Sequence, residues 1–530
     1  MKNQSKIGWP FVKNQLNDSD SNNDASRNIL LAIFVMINAG ISLFVRQAGM
    51  HVIAWSWRPA QTILTSYWFE KEGISLLHYQ TPVYGPPWQI PFEFPLYQAI
   101  GTLLSRIVND LTFACHLASI FSFYLSALFL LLICLEFLKN RLAAFIILTV
   151  YLWLPYNIFY STEILIDYSS LAFALGFIYF LKKWLDDPRR FWLAFGAILF
   201  GCTTALVKIT TLPIVIVPAV LLSIQAILRQ GFQFHMLVRP PELIQHFLKN
   251  KLFWLLLICA AVLPLIAVAL WTWHADKVKL AQPLAAWLSS TNLVDWNYGT
   301  LDSKTSFIKW AAWLQVIYKY FLFGGLIVFP AIGIISLYKA SQETADLIGS
   351  VISSSLLTIF IFFNLYLHEY YYISISAYMS ILVGYGIYYC ISYLLKKKRY
   401  WWITFFTIFL VFVFMQGREQ LLTLRQSDAT GLLTYQTNMI PQASLVKEAT
   451  PEDGFVVSVQ SDWYPQFILA TERKGLTFTP REINKFNCKM LTIYNFTTVV
   501  GPADSPATNA VLSCFKNQKL FAPGIYQVSN

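Results

Sequence analysis

Long apolar runs separated by short polar breaks dominate this chain. They lie near residues 29–46, 112–137, 142–159, 167–183, 191–207, 211–228, 252–272, 314–338, 346–366, 371–394 and 400–416. Several exceed the ~18 apolar residues that mark a membrane-spanning helix, so the pattern predicts a polytopic α-helical membrane protein with about 11 transmembrane helices. Two long polar connections interrupt the runs, at about 47–111 and 273–313. Within the first, Leu96 to Val108 is apolar but too short to span, and reads as an interfacial helix. Pro82, Pro86, Pro87, Pro91 and Pro95 exclude a regular helix just ahead of it. Beyond about 417 the pattern changes. Strand signals at 454–459, 476–478, 497–500 and 524–528 alternate with helical stretches near 462–473 and 507–516. That alternation predicts a small α/β domain of about 80 residues. The chain therefore divides into an N-terminal tail (1–28), a transmembrane domain (29–416) and a C-terminal α/β domain (417–530).

Composition agrees. Of 530 residues, 56% are hydrophobic and only 13% charged, against roughly 25% charged in a soluble domain. The net charge of +11 needs no nucleic-acid partner. Its Lys and Arg gather between runs: Lys139 and Arg141; Lys182, Lys183, Arg189 and Arg190; Arg229, Arg239, Lys249 and Lys251; Lys396, Lys397, Lys398 and Arg399. The breaks at 160–166 and 367–370 carry none. Positive loops stay in the cytoplasm, which places the N-terminus inside and the long connections and the α/β domain outside. The polar start lacks a small-residue cleavage site after the first run, so that run is expected to stay as an anchor. Cys115, Cys134, Cys202, Cys259 and Cys390 lie in apolar runs and read as small hydrophobes. Cys488 and Cys514, in the α/β domain, form a disulfide if that side is oxidising, or stay free thiols.

Ionisable residues near the membrane are costly and are functional candidates by default. The first connection carries His51, Arg58 and Gln61, and then Glu93 in Pro91-Phe92-Glu93-Phe94-Pro95. Glu163 and Asp167 precede and open the fourth run, Lys208 follows the fifth, and His368, Glu369, Tyr370 and Tyr371 form the break before the tenth. All fall on the outer side and can line one cavity. Each has a plainer reading: Asp167 as a helix cap, Lys208 snorkelling to headgroups, the His368 turn as an aromatic belt, Glu93 paired with Arg58. Asp186-Asp187 lies among Lys and Arg and reads as a solvated turn. Ser461-Asp462-Trp463-Tyr464-Pro465 reads as a turn and helix start. There is no Walker motif, zinc spacing or internal repeat.

One span, a long outer loop with a Glu-x-Pro-Leu-Tyr element before an interfacial helix, an Asp opening the fourth span, a His-x-Tyr-Tyr turn and a soluble tail follow in order. Over about 29–415 this resembles the GT-C superfamily of integral-membrane glycosyltransferases. The closer likeness is to the bacterial branch related to protein O-mannosyltransferases and the aminoarabinose transferase of lipid A (glycosyltransferase family 39-like). The resemblance implies inverting transfer of a sugar from a polyprenyl-phosphate donor to a glycan, lipid or protein acceptor, at the outer face of a bacterial inner membrane. Within that mechanism a carboxylate in reach of the acceptor hydroxyl is the expected general base, Glu93 first and Asp167 second. The resemblance places Arg58, Gln61, Lys208, His368, Tyr370 and Tyr371 around the lipid phosphate and donor sugar, with His51, Glu163 and Glu369 as further candidates. Gln61 departs from the pattern, because many relatives carry Asp there, and Gln can neither take a proton nor lend charge to a metal. No cofactor and no metal ligands are therefore assigned, and a divalent cation finds only weak support. A transporter and a non-catalytic envelope-assembly protein are the alternatives. The first lacks paired broken helices or inverted repeats; Gln61 is compatible with the second.

Overall fold

The computed structural model describes residues 21–47, 56–233, 240–398, 400–459, 464–479 and 488–530. His51 and Ser461-Asp462-Trp463 lie outside the described residues. The first helix, α1 (Ser21–Arg46), exposes Phe34, Met36, Ile37 and Phe44, and residues 46–530 form a compact unit of their own. The helices that follow are α2 (Trp57–Glu72), α3 (Leu96–Val108), α4 (Leu111–Leu138), α5 (Arg141–Trp153), α6 (Pro155–Tyr160), α7 (Asp167–Asp186), α8 (Phe191–Val207), α9 (Ile216–Arg229), α10 (Pro240–Lys249) and α11 (Lys251–Leu280). After them come α12 (Val294–Tyr298), α13 (Leu301–Thr305), α14 (Phe307–Phe321), α15 (Val328–Ser336), α16 (Gln342–Ile361), α17 (Ile373–Lys396), α18 (Tyr400–Thr434) and α19 (Ile440–Ala449). Helix α7 packs between α4 and α8, α11 covers α8, and α17 packs on α5 and α15.

Six helical stretches among the described residues are long and apolar enough to cross a membrane, and four apolar helices are shorter, so this is a multi-pass membrane protein with fewer full-length spans than the eleven expected. Two of the expected runs are broken within the chain. The run at 142–159 breaks at Leu154-Pro155, because proline cannot continue the ladder of α5 and instead starts α6. The run at 314–338 is two helices, α14 and α15, parted at Gly324, which takes φ 58°. In the other direction, α18 does not stop near 416. The helical stretch Trp401–Ala449 has 49 residues. At about 1.5 Å per residue it far exceeds the ~30 Å hydrocarbon core, and its continuation reaches the sheet. The first connection also holds a helix that its Trp- and Pro-containing sequence does not announce. Helix α2 accepts Pro59 in its first turn, where the missing N–H costs nothing.

The C-terminal sheet has strand order β2-β1-β3-β5-β4, with β1 (Phe455–Ser458), β2 (Gly475–Thr477), β3 (Phe496–Val500), β4 (Asn517–Ala522) and β5 (Ile525–Ser529). The first three run parallel, with Val457 opposite both Leu476 and Val499. β5 runs antiparallel to both of its neighbours, β3 and β4. Helices α20 (Pro465–Thr471), α21 (Cys488–Ile493) and α22 (Pro506–Leu512) make the crossovers. A Cys488–Cys514 disulfide ties α21 to the end of α22. The free edge of β2 is covered by the first connection: Gly475 N donates to Pro82 O (3.1 Å) and Thr477 N to Val83 O (2.8 Å). Gly85, at φ 79°, permits the reversal between Tyr84 and Trp88. Leu64 of α2, Val83, Tyr84, Trp88 and Ile90 of the first connection, and Leu284 and Leu288 of the one after α11 share a single apolar core with the sheet. Trp88 packs edge-on to Phe455 at 4.6 Å and near Phe496 at 6.2 Å. Trp88→Ala should lower stability by about 3 kcal/mol. It should also loosen the first connection, read as early proteolysis between residues 73 and 95; an unchanged melting temperature and cleavage pattern would contradict this shared core.

Candidate active site

Helix α2 begins at Trp57 after the extended Ser56, which puts Arg58 in its first turn. Its guanidinium reaches two acceptors. Nη2 pairs with Glu93 Oε2 at 2.9 Å, and Nη1 donates to Gln61 Oε1 at 2.8 Å, one turn along the same helix. The other Glu93 oxygen accepts from Gln98 Nε2 at 2.9 Å. The Glu93 carbonyl accepts from Tyr79 OH at 2.8 Å, and Tyr79 OH in turn accepts from Phe92 N. Glu93 and Gln61 are buried. Gln61 therefore supplies an uncharged acceptor that fixes the fork of Arg58 without neutralising it. Burial disfavours the arginine's charge, but Glu93, Tyr370, Tyr371 and Asp167 outweigh that cost and hold its pKa above the usual value.

A second pair lies on α7 and α8. Asp167 opens α7 but makes no cap bond to the backbone. Its Oδ1 instead accepts from Lys208 Nζ, at the end of α8 where the chain turns extended (φ −158°, ψ 102°). Both side chains are buried, so Lys208 does not snorkel. Asp167 Oδ2 is buried without a hydrogen-bond partner among the described residues. Above the ammonium lie the rings of Tyr371, at 4.2 Å, and Tyr370, at 5.0 Å, which stack on each other at 4.6 Å. The two tyrosines come from the short 3₁₀ turn ahead of α17.

A cavity of about 830 Å³ opens beside these pairs, within the range of small-molecule sites. Arg58, Trp57 and Phe92 face it from the first connection, Tyr160 and Glu163 from the α6–α7 turn, and Trp287 and Trp296 from the connection after α11. His368, Glu369, Tyr370 and Tyr371 face it from the turn before α17, and Leu424, Ser427 and Asp428 from α18. Glu93, Gln61, Asp167 and Lys208 do not line it; they stand behind Arg58 and the tyrosine pair. Glu369 is held by Lys319 Nζ at 3.4 Å and Tyr160 OH at 3.3 Å. Burial lowers the pKa of His368, which favours the neutral imidazole. Glu163 is held through its backbone, its carbonyl accepting from Ser119 Oγ at 2.7 Å. No described residue hydrogen-bonds its carboxylate. Burial, and then the charge of Asp428, push its pKa up to about 8.

Of the residues expected at the site, the fold brings Arg58, Glu163, His368, Glu369, Tyr370 and Tyr371 to one cavity, with Gln61, Glu93, Asp167 and Lys208 directly supporting it. Sequence reasoning missed Asp428, Trp287 and Trp296. Asp428 lies past the last apolar run. The signal that could have found it is the helix-favouring stretch after 416, which continues the span rather than starting a new domain. Among the described residues no three His, Cys, Asp or Glu side chains gather as a metal would require.

No family model matches the sequence, and no curated protein matches it. Solved structures do. ArnT from Cupriavidus metallidurans bound to undecaprenyl phosphate matches with a TM-score of 0.57 at 12% identity, over 93% of this chain and 98% of that one. The archaeal oligosaccharyltransferase AglB from Archaeoglobus fulgidus, in complex with an inhibitory peptide and a dolichol-phosphate, matches at 0.53 and 13%, over 95% of this chain and 74% of that one. At such identities the likeness shows the fold alone: this chain shares the architecture of these two proteins along most of its length.

Proposed function

We propose that this protein transfers a sugar from a polyprenyl-phosphate donor to an acceptor hydroxyl, with inversion at the anomeric carbon, at the outer face of a bacterial inner membrane. The observation that carries this reading is the cavity with Arg58 in its wall. A permanently charged fork, fixed by Glu93 and Gln61 and flanked by aromatic rings, suits a lipid-linked phosphate on one side and a sugar on the other. The fold adds support, since ArnT of C. metallidurans holds undecaprenyl phosphate in the same architecture.

The chemistry follows from charge. As the bond from the sugar to the phosphate breaks, negative charge gathers on the leaving phosphate. Fixed cations aimed at that position stabilise the transition state more than the ground state. Arg58 faces it directly; Lys208 adds positive potential from behind Tyr370 and Tyr371. Glu93 and Asp167, the two carboxylates favoured as bases on sequence, are committed to these cations: Glu93 has both oxygens bonded and Asp167 is paired with Lys208. Their role in this reading is to orient the cations. The aromatic walls place the sugar for in-line attack.

The test uses the purified chain in nanodiscs. It is supplied with undecaprenyl-phosphate-linked hexoses and pentoses, and with solubilised bacterial envelope as the source of acceptor. Release of free undecaprenyl phosphate is the expected result. Absence of release from every donor, together with no thermal stabilisation by undecaprenyl phosphate, would rule the reading out.

A further inference from the structure

Resting on that reading, we infer that Glu163 is the residue that takes the acceptor's proton, and that Asp428 tunes it. A general base must face the space where the acceptor lies and have an oxygen free to receive a proton. Among the carboxylates singled out from the sequence, Glu93 and Asp167 do not line the cavity, and Glu369 is held by Lys319 and Tyr160. Glu163 lines it, and its carboxylate has no hydrogen-bond partner among the described residues. Its place is fixed from below rather than through the carboxylate. Ser119 bonds its carbonyl, and the preceding Thr162 carbonyl meets His116 Nδ1 at 2.5 Å. The reactive oxygens are thus left to the cavity while the backbone is held.

Asp428 lines the same cavity from α18. Burial, and then the negative charge of Asp428, disfavour the ionised form of Glu163, so that its pKa is pushed up to about 8, above the usual carboxylate range. Such a pKa suits a base, because the proton is held firmly yet the ionised form is populated. Among the described residues, ionisable groups near Glu163 include Tyr97 from α3, His116 from α4 and Tyr160 from α6; Arg58, His368 and Glu369 share the cavity. In the step itself, the acceptor O–H proton passes to the Glu163 carboxylate while the acceptor oxygen bonds to the anomeric carbon. The bond from that carbon to the phosphate oxygen breaks, its electron pair leaves on undecaprenyl phosphate beside Arg58, and Glu163 then gives its proton to water.

The experiment is the pH dependence of undecaprenyl phosphate release by wild type, Glu163→Gln, Glu163→Asp and Asp428→Asn, in nanodiscs with the donors and envelope acceptor above. In wild type the ionised form of Glu163 falls as pH drops below about 8, so kcat should rise about tenfold per pH unit up to that point and then level. Glu163→Gln should lower kcat by ~10²–10⁴-fold with the donor KM unchanged, and Glu163→Asp should recover part of it. Asp428→Asn removes a repelling charge and should move the rise to lower pH. A Glu163→Gln protein with wild-type kcat and pH profile would overturn the inference and leave sugar transfer standing. An Asp428→Asn profile that does not move would overturn the tuning role. No release by wild type from any donor, together with no thermal stabilisation by undecaprenyl phosphate, would overturn both the inference and the reading beneath it.

Discussion

Arg58→Ala should lower the turnover of undecaprenyl phosphate release by ~10²–10³-fold, the loss typical when one fixed charge-stabilising group is removed from a water-poor site. Two effects would act together, and they can be separated. The first is chemical: the cavity loses the cation aimed at the leaving phosphate. The second is structural, because Glu93 is buried and would keep only Gln98 as a partner for its carboxylate. Breaking a buried pair from one side costs about 3–5 kcal/mol. Adding Glu93→Gln to Arg58→Ala removes the stranded charge, so the double variant should recover much of the melting temperature and none of the turnover. Arg58→Lys should rescue poorly. A single ammonium cannot serve Gln61 and Glu93 with the planar fork that the site is built around. Turnover and thermal denaturation of the same preparations decide the matter. Wild-type turnover in Arg58→Ala would remove Arg58 from the chemistry, and equal stability in the single and double variants would remove Glu93 as its partner.

Lys208→Met should have the largest effect on stability, a loss of about 3–5 kcal/mol, because it strands the buried Asp167. The lost contact with the faces of Tyr370 and Tyr371 adds about 0.5–2 kcal/mol. Pairing it with Asp167→Asn should restore most of the stability, since neither charge then remains to be compensated. A lysine that merely reached the headgroups would tolerate methionine with almost no loss, so the melting temperature of Lys208→Met in nanodiscs distinguishes the two pictures. The tyrosines give a second readout. Without the ammonium beneath them the stacked pair loses its support, and the donor KM should rise in Lys208→Met even where the double variant folds well. A melting temperature within error of wild type would show that the pair carries no stability.

Much of the architecture was legible in the sequence because its cause is local. The bilayer's demand for apolar length fixes spans such as α4 and α11, and α3 runs over the same Leu96–Val108 that its short apolar run marked. Strands β1, β3 and β5 announced themselves by apolar runs between turn residues. Strand β4 did not. It is a polar, exposed edge strand, Asn517-Gln518-Lys519-Leu520-Phe521-Ala522, and only its pairing with β5 makes it a strand. The break of 314–338 into α14 and α15 was hidden because Gly324-Gly325 sits inside an otherwise apolar run.

At the site the sequence by itself marked most of the charged groups that gather around the cavity, though not Asp428. A charge near a membrane needs a partner or a purpose, and Arg58, Glu93, Glu163, Asp167, Lys208 and the His368–Tyr371 turn all proved to stand at one place. Only the tertiary structure decided how they divide the work. Whether Glu93 and Asp167 face a substrate or a cation depends on contacts 35 and 41 residues apart in sequence, and no local pattern encodes those. The structure likewise joined the sheet to the first connection through Trp88, and carried α18 past the last span to bring Asp428 beside Glu163. Periodicity specifies where the chain is buried; the pairing of buried charges is settled by which helices pack together.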